Sequence, residues 1–366
     1  MTSRLDRIAL RHTRRAFDAQ LRDLDARPST PVLLLAFSWV LYGLILALFA
    51  TGVWLSSLSF PGVGLFFGLV VIGVAVELRP RFGRPPKFAT EVPASEAPAL
   101  HELVGRVAAA VGTPAPAIYV VDDEFNASAG AYGLRRRRAL VLGLPIWNAL
   151  PARHRVALLG HELGHFVNRD PRRGLVVQPA LTAFARVVRL FEHEERGPDS
   201  FGLLVIHWAL NAVKAVVRLV LRVPQVLLAV AALRDGQRAE YHADAVAARV
   251  AGRDAVVGLL DLSTLLDSVQ MLVKRDARNG RPVTGWPATV EGLLAEAGPG
   301  IEARREATLE RVTLFDTHPP SGLRARVAAA RPSEGAAVVL DEAWNARIDT
   351  ELARHSTRAA RTLRQL

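Results

Sequence analysis

The chain is 366 residues long, carries a formal charge of +11 and contains no cysteine. That length allows one substantial core plus membrane elements, and the lack of cysteine excludes disulfides and thiolate metal sites. Half of the residues are hydrophobic and the mean hydropathy is +0.19, high for a soluble enzyme. The positive charge forms no basic stripe with interleaved aromatics, so no nucleic-acid partner is expected.

Residues 1–28 read as a charged amphipathic helix bearing Arg4, Arg7, Arg11, Arg14, Arg15, Arg22 and Arg27. From Ser29 to Val76 no residue is charged. The run breaks around Ser56–Gly62 into two pieces. Pro31–Leu55 easily crosses a ~30 Å hydrocarbon layer at ~1.5 Å per residue, and Phe60–Val76 is near the lower length limit. A transmembrane hairpin of two spans is therefore expected over 29–78. Arg79, Arg81, Arg84 and Lys87 follow it, while the loop between the spans is uncharged. The positive-inside rule then places both ends, and the domain that follows, on the cytoplasmic side of a multi-pass protein of the cell membrane. Residues 79–95, rich in proline and arginine, read as a linker.

Ala97–Val111 is helix-like and ends at Gly112-Thr113-Pro114. Ala117–Val121 reads as a strand, Asp122–Glu124 as a turn, and 126–130 and 138–144 as short strands joined by a loop carrying Arg135–Arg138. Pro151 suits a first helical turn, and Val156, Leu158, Leu159, Leu163 and Phe166 supply apolar positions at helical spacing. Asp170-Pro171 stops that run. The sum is an α+β arrangement, mostly helical, with a small sheet backed by helices.

On the helix after Pro151, His161 and His165 are four residues apart. They share one face, so both imidazoles can reach one metal ion. Glu162 points beside that metal, where it can take a proton from a bound water. Catalytic zinc sites use three protein ligands and keep a position for water. No third histidine follows His165 at the spacing metzincins use. Glu240 is the best remaining ligand, and Asp244 lies one turn further on. One of these carboxylates could bind the metal while the other orients a ligand histidine.

A His-Glu-x-x-His helix at 161–165 followed by Glu-x-x-x-Asp at 240–244 resembles the M48 family of membrane zinc metallopeptidases. Asn126-Ala127-Ser128-Ala129-Gly130 resembles the family's edge strand, with Ser128 where phenylalanine is usual. Leu140–Leu144 resembles the strand and turn before the active helix, and Thr317-His318-Pro319-Pro320 with Arg324 resembles its C-terminal His-Pro motif. The likeness covers about 96–332. It implies a zincin-like domain with one zinc ion per chain, held by His161, His165 and Glu240, and Glu162 as general base. It also implies His318 as donor to the oxyanion, with Arg324 as a second candidate. Asn126 and Ala127, together with Arg324, would contact substrate, and Asp244 and Asp170 would hold a ligand imidazole from behind. The partners implied are the lipid bilayer and protein or peptide substrates, unfolded or membrane-embedded.

Residues 172–236 contain two apolar stretches, Gly202–Val213 and Val223–Leu233, each too short to span alone, with Lys214, Arg218 and Arg222 on one stripe. Charges at mid-membrane cost ~2.5–3.5 kcal/mol each on insertion scales, which favours an interfacial amphipathic helix. Two further spans, or a helical lid, remain open. Region 172–236 or the glycine- and proline-rich segment 276–300 could gate the site, and 333–366 reads as a helical tail. Two alternatives to a broad endopeptidase are a dedicated processing protease and a non-proteolytic adaptor with a vestigial zinc site. The presence of His161, Glu162, His165 and Glu240 together weighs against the adaptor.

Overall fold

A computed structural model describes residues 4–26, 31–58, 62–81, 86–133, 135–168, 176–191, 201–313 and 318–365. In chain order its helices and strands are α1 (Arg4–Arg22), α2 (Val32–Leu58), α3 (Val63–Leu78), β1 (Thr90–Glu91), α4 (Pro98–Val111), β2 (Ala117–Val121), β3 (Ala127–Tyr132) and β4 (Arg137–Gly143). There follow α5 (Leu144–Ala149), α6 (Ala152–Asn168), α7 (Gln178–Leu190), α8 (Phe201–Ala251), α9 (Arg253–Thr264) and α10 (Leu266–Arg278). The last are α11 (Trp286–Ala297), α12 (Ile301–Ala307), α13 (Ser321–Ala329), α14 (Glu342–Glu351) and α15 (Ala353–Gln365). Helix dominates and the sheet is small, as the sequence led us to expect. Two compact units emerge: one of Met1–Pro28, Gly83–Asn168 and Leu233–Leu366, the other of Ser29–Phe82 and Arg169–Ala232.

The first unit is built around the sheet, whose strand order is β1-β2-β4-β3. β2 and β4 run parallel, while the β1–β2 and β3–β4 pairs are antiparallel. β4 lies between two strands, which explains its continuous apolar run Ala139-Leu140-Val141-Leu142, buried on both faces. Leu100, Leu103 and Val107 of α4, Leu159 and Leu163 of α6, and Ile348 of α14 close the core over it. Glu351 receives the N–H groups of Ala99 and Leu100 at 2.8 and 3.1 Å, placing a carboxylate on the N-terminus of α4. Gly112, at φ 79°, ends that helix in the left-handed conformation that only glycine adopts cheaply. The C-terminal stretch thus does not hang free of the core: α14 and α15 bury Trp344, Ile348, Leu352 and Leu363.

Segment 276–300 is largely helical. Its glycines and prolines punctuate a helix: Gly280 sits at φ 71°, and Pro287 occupies the first turn of α11. Trp286 and Val290, at helical spacing, are fully buried against Leu150, Val273 and Leu363. The breakers mark element ends, and the apolar spacing inside them decides the structure.

The second unit is helical. α2 has 27 residues and is long and apolar enough to cross a membrane, whereas α3 has 16. The two pack closely at Gly52 and Gly68, where a Cβ on Gly52 would lie 2.9 Å from the Gly68 carbonyl. Leu34 and Leu41 of α2 meet Ala180, Ala183 and Phe184 of α7 and Leu228 of α8. The stretches Gly202–Val213 and Val223–Leu233, too short separately, are joined into the single 51-residue helix α8, which runs through Pro224. From Asn211 onward α8 too is long and apolar enough to cross a membrane. The joining residues include Lys214, Arg218 and Arg222, whose four-residue spacing keeps them on one stripe and leaves the rest apolar.

Candidate active site

Two pairs of small residues bring the site together. A Cβ on Gly164 would lie 3.2 Å from Ala243 Cα, and one on Gly160 would lie 3.0 Å from Ala247 Cα. Gly160 and Gly164 therefore let α6 touch the backbone of α8 through Ala243 and Ala247, each pair spaced i, i+4. Glu240, one turn before Ala243, then reaches the two histidines of α6. Sequence reading passed over this signal, although the small residues stand in the same motifs as the ligands.

The two imidazole Nε2 atoms are 3.3 Å apart. Each lies 3.5 Å from one oxygen of Glu240. Ligands ~2.0–2.1 Å from a tetrahedral ion are ~3.3–3.4 Å from each other, so these spacings suit zinc. His161, His165 and Glu240 also form the group of possible metal ligands found among the described residues, with ligand atoms within 4.8 Å of one another. Glu240 Oε2 has His318 Nδ1 at 2.8 Å and an Arg324 nitrogen at 3.2 Å. Neither contact is aligned as a hydrogen bond, so a buried carboxylate oxygen keeps an open lone pair. Two imidazoles and that oxygen are the donor set of a catalytic zinc site, and the residues fit the ion.

Behind the ligands lies a buried charge network. Asp244 accepts from Arg324 Nε and Nη2 at 2.8 and 2.7 Å, a bidentate pair, and its Oδ1 is 2.9 Å from His161 Nδ1. Burial opposes charge on every member, but the partners prevail. Against burial, Arg324 and then His161 hold the Asp244 carboxyl below its usual range. Arg324, His161 and His318 do the same for Glu240, which falls well below the carboxylate range. Burial and Arg324 push His161 down, yet the neighbouring carboxylates of Asp244 and Glu240 raise it to about 10. The site thus favours positive charge between its carboxylates, as a cation-binding site must.

Glu162 is buried beside this network. Burial raises its pKa, His161 and His318 oppose the rise, Glu240 adds to it, and a hydrogen bond from the Ala129 backbone lowers it again. Ala129 belongs to β3, at the edge of the sheet, so this strand runs directly past the carboxylate. His318 is exposed just ahead of α13. Asn126 is exposed at the start of β3, where its carbonyl accepts from the Gly143 N–H at 2.9 Å, and Ala127 pairs with Leu142. Arg324, expected to meet substrate, is instead buried behind His161 with its donors turned to Asp244 and Glu240. Asp170 lies outside the described residues.

Residues 94–332 match the profile of Peptidase family M48. Among curated proteins, the chain is 28% identical over 250 residues to Protease HtpX of Xanthomonas euvesicatoria pv. vesicatoria (strain 85-10), covering 65% of this chain and 73% of that one. It is 27% identical over 262 residues to a Protease HtpX homolog of Desulfatibacillum aliphaticivorans, covering 68% and 74%. To a Protease HtpX homolog of Trichormus variabilis (strain ATCC 29413 / PCC 7937) it is 25% identical over 241 residues, covering 61% and 76%. No solved structure matches it. On the extent of the profile match, the chain belongs to the M48 family of membrane metallopeptidases.

Proposed function

We propose that this peptidase is a zinc-dependent endopeptidase, with His161, His165 and Glu240 as the metal ligands and Glu162 as the general base. The observation that carries the reading is the spacing of the three ligand side chains, 3.3 and 3.5 Å, with the Glu162 carboxyl buried beside them against β3. Bound zinc would lower the pKa of its water and polarise the scissile carbonyl. Glu162 would accept the proton of the attacking water and return it to the leaving amine. His318, exposed and 2.8 Å from Glu240, is placed to donate to the oxyanion as it forms. Asp244 fixes the ring of His161 through Nδ1, and Arg324 fixes Asp244. That role suits Arg324 better than contact with substrate, because its side chain is buried and its donors are engaged.

The edge of β3 away from β4 gives an extended peptide a place to add as a strand at Ala127, beside the exposed Asn126 side chain and along the stretch where Glu162 meets Ala129. Pairing through backbone groups selects unfolded segments with little regard to sequence. The arginines flanking the uncharged run support a peptidase acting at the cytoplasmic face of the cell membrane, by the positive-inside rule.

The test is cleavage of an unfolded reporter protein by the detergent-purified full chain and its Glu162→Gln variant, with zinc counted in both. We expect one zinc per chain in each and a fall of at least about 10²–10⁴-fold in cleavage by the variant. Zinc in both without cleavage by either would favour a partner-binding role or a narrow substrate. Absence of zinc from both would overturn the ligand set.

A further inference from the structure

At the end of α3 an apolar helix gives way abruptly to charge, in Glu77-Leu78-Arg79-Pro80-Arg81. The last carbonyls of a helix have no partner within it. Arg186 of α7 supplies one, donating from Nη2 to the Arg79 carbonyl at 2.6 Å and lying 3.4 Å from that of Leu78. Arg186 therefore pins α7 to the end of α3, within the helical unit.

The pin gathers like charges. Arg186 feels the fields of Arg81, Arg189 and Arg79, relieved by Glu77. Glu77 is itself engaged by Arg81 at 2.6 Å. Four guanidiniums against one carboxylate leave a net charge of +3 (4 − 1). Arg79, Arg81 and Arg189 are exposed, and back along α3 the exposed Val70 and Val74, four residues apart on one face, form an apolar flank.

We infer that Arg79, Arg81 and Arg189, gathered around Arg186, bind the phosphate of an anionic phospholipid, whose acyl chain lies along the Val70 and Val74 side of α3. The guanidinium fork matches phosphate geometry and is easily stripped of water. The place is right for a headgroup, because apolar side chains end where the hydrocarbon ends. With 16 residues α3 is about 24 Å long, short of the ~30 Å hydrocarbon layer. Its arginines are thereby drawn toward the headgroups rather than held beyond them. The inference rests on the membrane placement of the chain and not on its catalysis, so an inactive protein would leave it open to test.

Native mass spectrometry of the detergent-purified full chain, titrated with phosphatidylglycerol or phosphatidylcholine, reads the preference directly. We expect phosphatidylglycerol to bind more tightly, and each arginine lost to weaken it about fivefold, at ~1 kcal/mol per basic residue. The R79Q/R81Q/R189Q variant should therefore lose about 100-fold, and R79K/R81K/R189K should keep most of the preference. The exposed arginines of α14 and α15 give a charge-matched control, R347Q/R354Q/R361Q, which should bind as wild type does. Equal loss in that control would reduce the effect to net charge and overturn the site. Displacement of the lipid by inorganic phosphate at matching concentration would make it a free-phosphate site. Displacement by a soluble polyglutamate peptide would make it a protein-docking surface, and either result overturns the inference.

Discussion

The two units bury opposite things. In the unit around the candidate site, Glu162, Glu240, Asp244 and Arg324 are each less than a tenth exposed. In the helical unit, Trp39 is 64%, Phe66 65% and Leu219 69% exposed. Large apolar side chains stay outside when the surrounding medium is hydrocarbon, and charges stay inside when they complete one another. Each unit is therefore vulnerable in a different way. The polar cluster is a set of mutually dependent members, so removal of one leaves the others buried and uncompensated. The apolar surface is a sum of nearly independent side chains, so no single one matters much.

The largest effect should come from Arg324→Met, which keeps the bulk and removes the cation between Asp244 and Glu240. Two buried carboxylates are then left with His161 as their buried cation, at a cost of about 3–5 kcal/mol. Thermal unfolding of the chelator-treated protein measures it, and stability equal to wild type would show that the cluster is not coupled.

Next comes acid. His154 is almost wholly buried. Burial, with Arg153 beside it, depresses its pKa from 6.5 to about 4. The folded state thus refuses a proton that the unfolded chain accepts. The contribution is complete above pH 6.5, is lost as the pH falls toward 4, and amounts to about 3 kcal/mol. The stability difference between wild type and His154→Gln should therefore shrink across that window. A constant difference would mean that the ring takes up its proton without leaving its place.

Gly164→Val tests the close approach of α6 to α8. The added Cβ alone meets Ala243 backbone atoms at 3.2–3.3 Å, which cannot move aside as a side chain would. A loss of about 1–3 kcal/mol is expected, together with weaker zinc binding, because Glu240 retreats with α8. Weaker zinc at unchanged stability would still support the spacing argument. Unchanged zinc affinity would break it.

How much was legible in the sequence follows the same division. His161, His165 and Glu240 could be read because helical spacing is local and metal chemistry restricts the residue types. Strands β2 and β4 and helix α4 could be read because their apolar patterns and breakers agree. The part played by Arg324 was not legible, since nothing in the chain near Pro320 says which way a distant arginine faces. The packing of Trp286 was not legible, because Gly280 and Gly298 interrupt the pattern around it and its partner surface comes from the distant α10 and α15. The continuity of α8 was hidden by Lys214, Arg218 and Arg222, whose cost as charges outweighed their helical spacing in any local reading.

The smallest effect decides the medium. Leu46 on α2 is 68% exposed. On a surface facing water, Leu46→Ala would be neutral or slightly favourable, because it removes an apolar side chain from water. On a surface facing hydrocarbon the same change costs insertion free energy, about 0.5 kcal/mol or roughly a twofold fall in the inserted-to-uninserted ratio of the helix. A membrane-integration assay on α2 with its flanking arginines resolves a twofold change, and the sign carries the information. A fall places Leu46 against lipid, and a series along α2 would map the lipid-facing stripe one residue at a time. No change at Leu46, or at equally exposed Leu44, would mean that another protein surface covers this face of α2 and that its apolar side chains serve assembly.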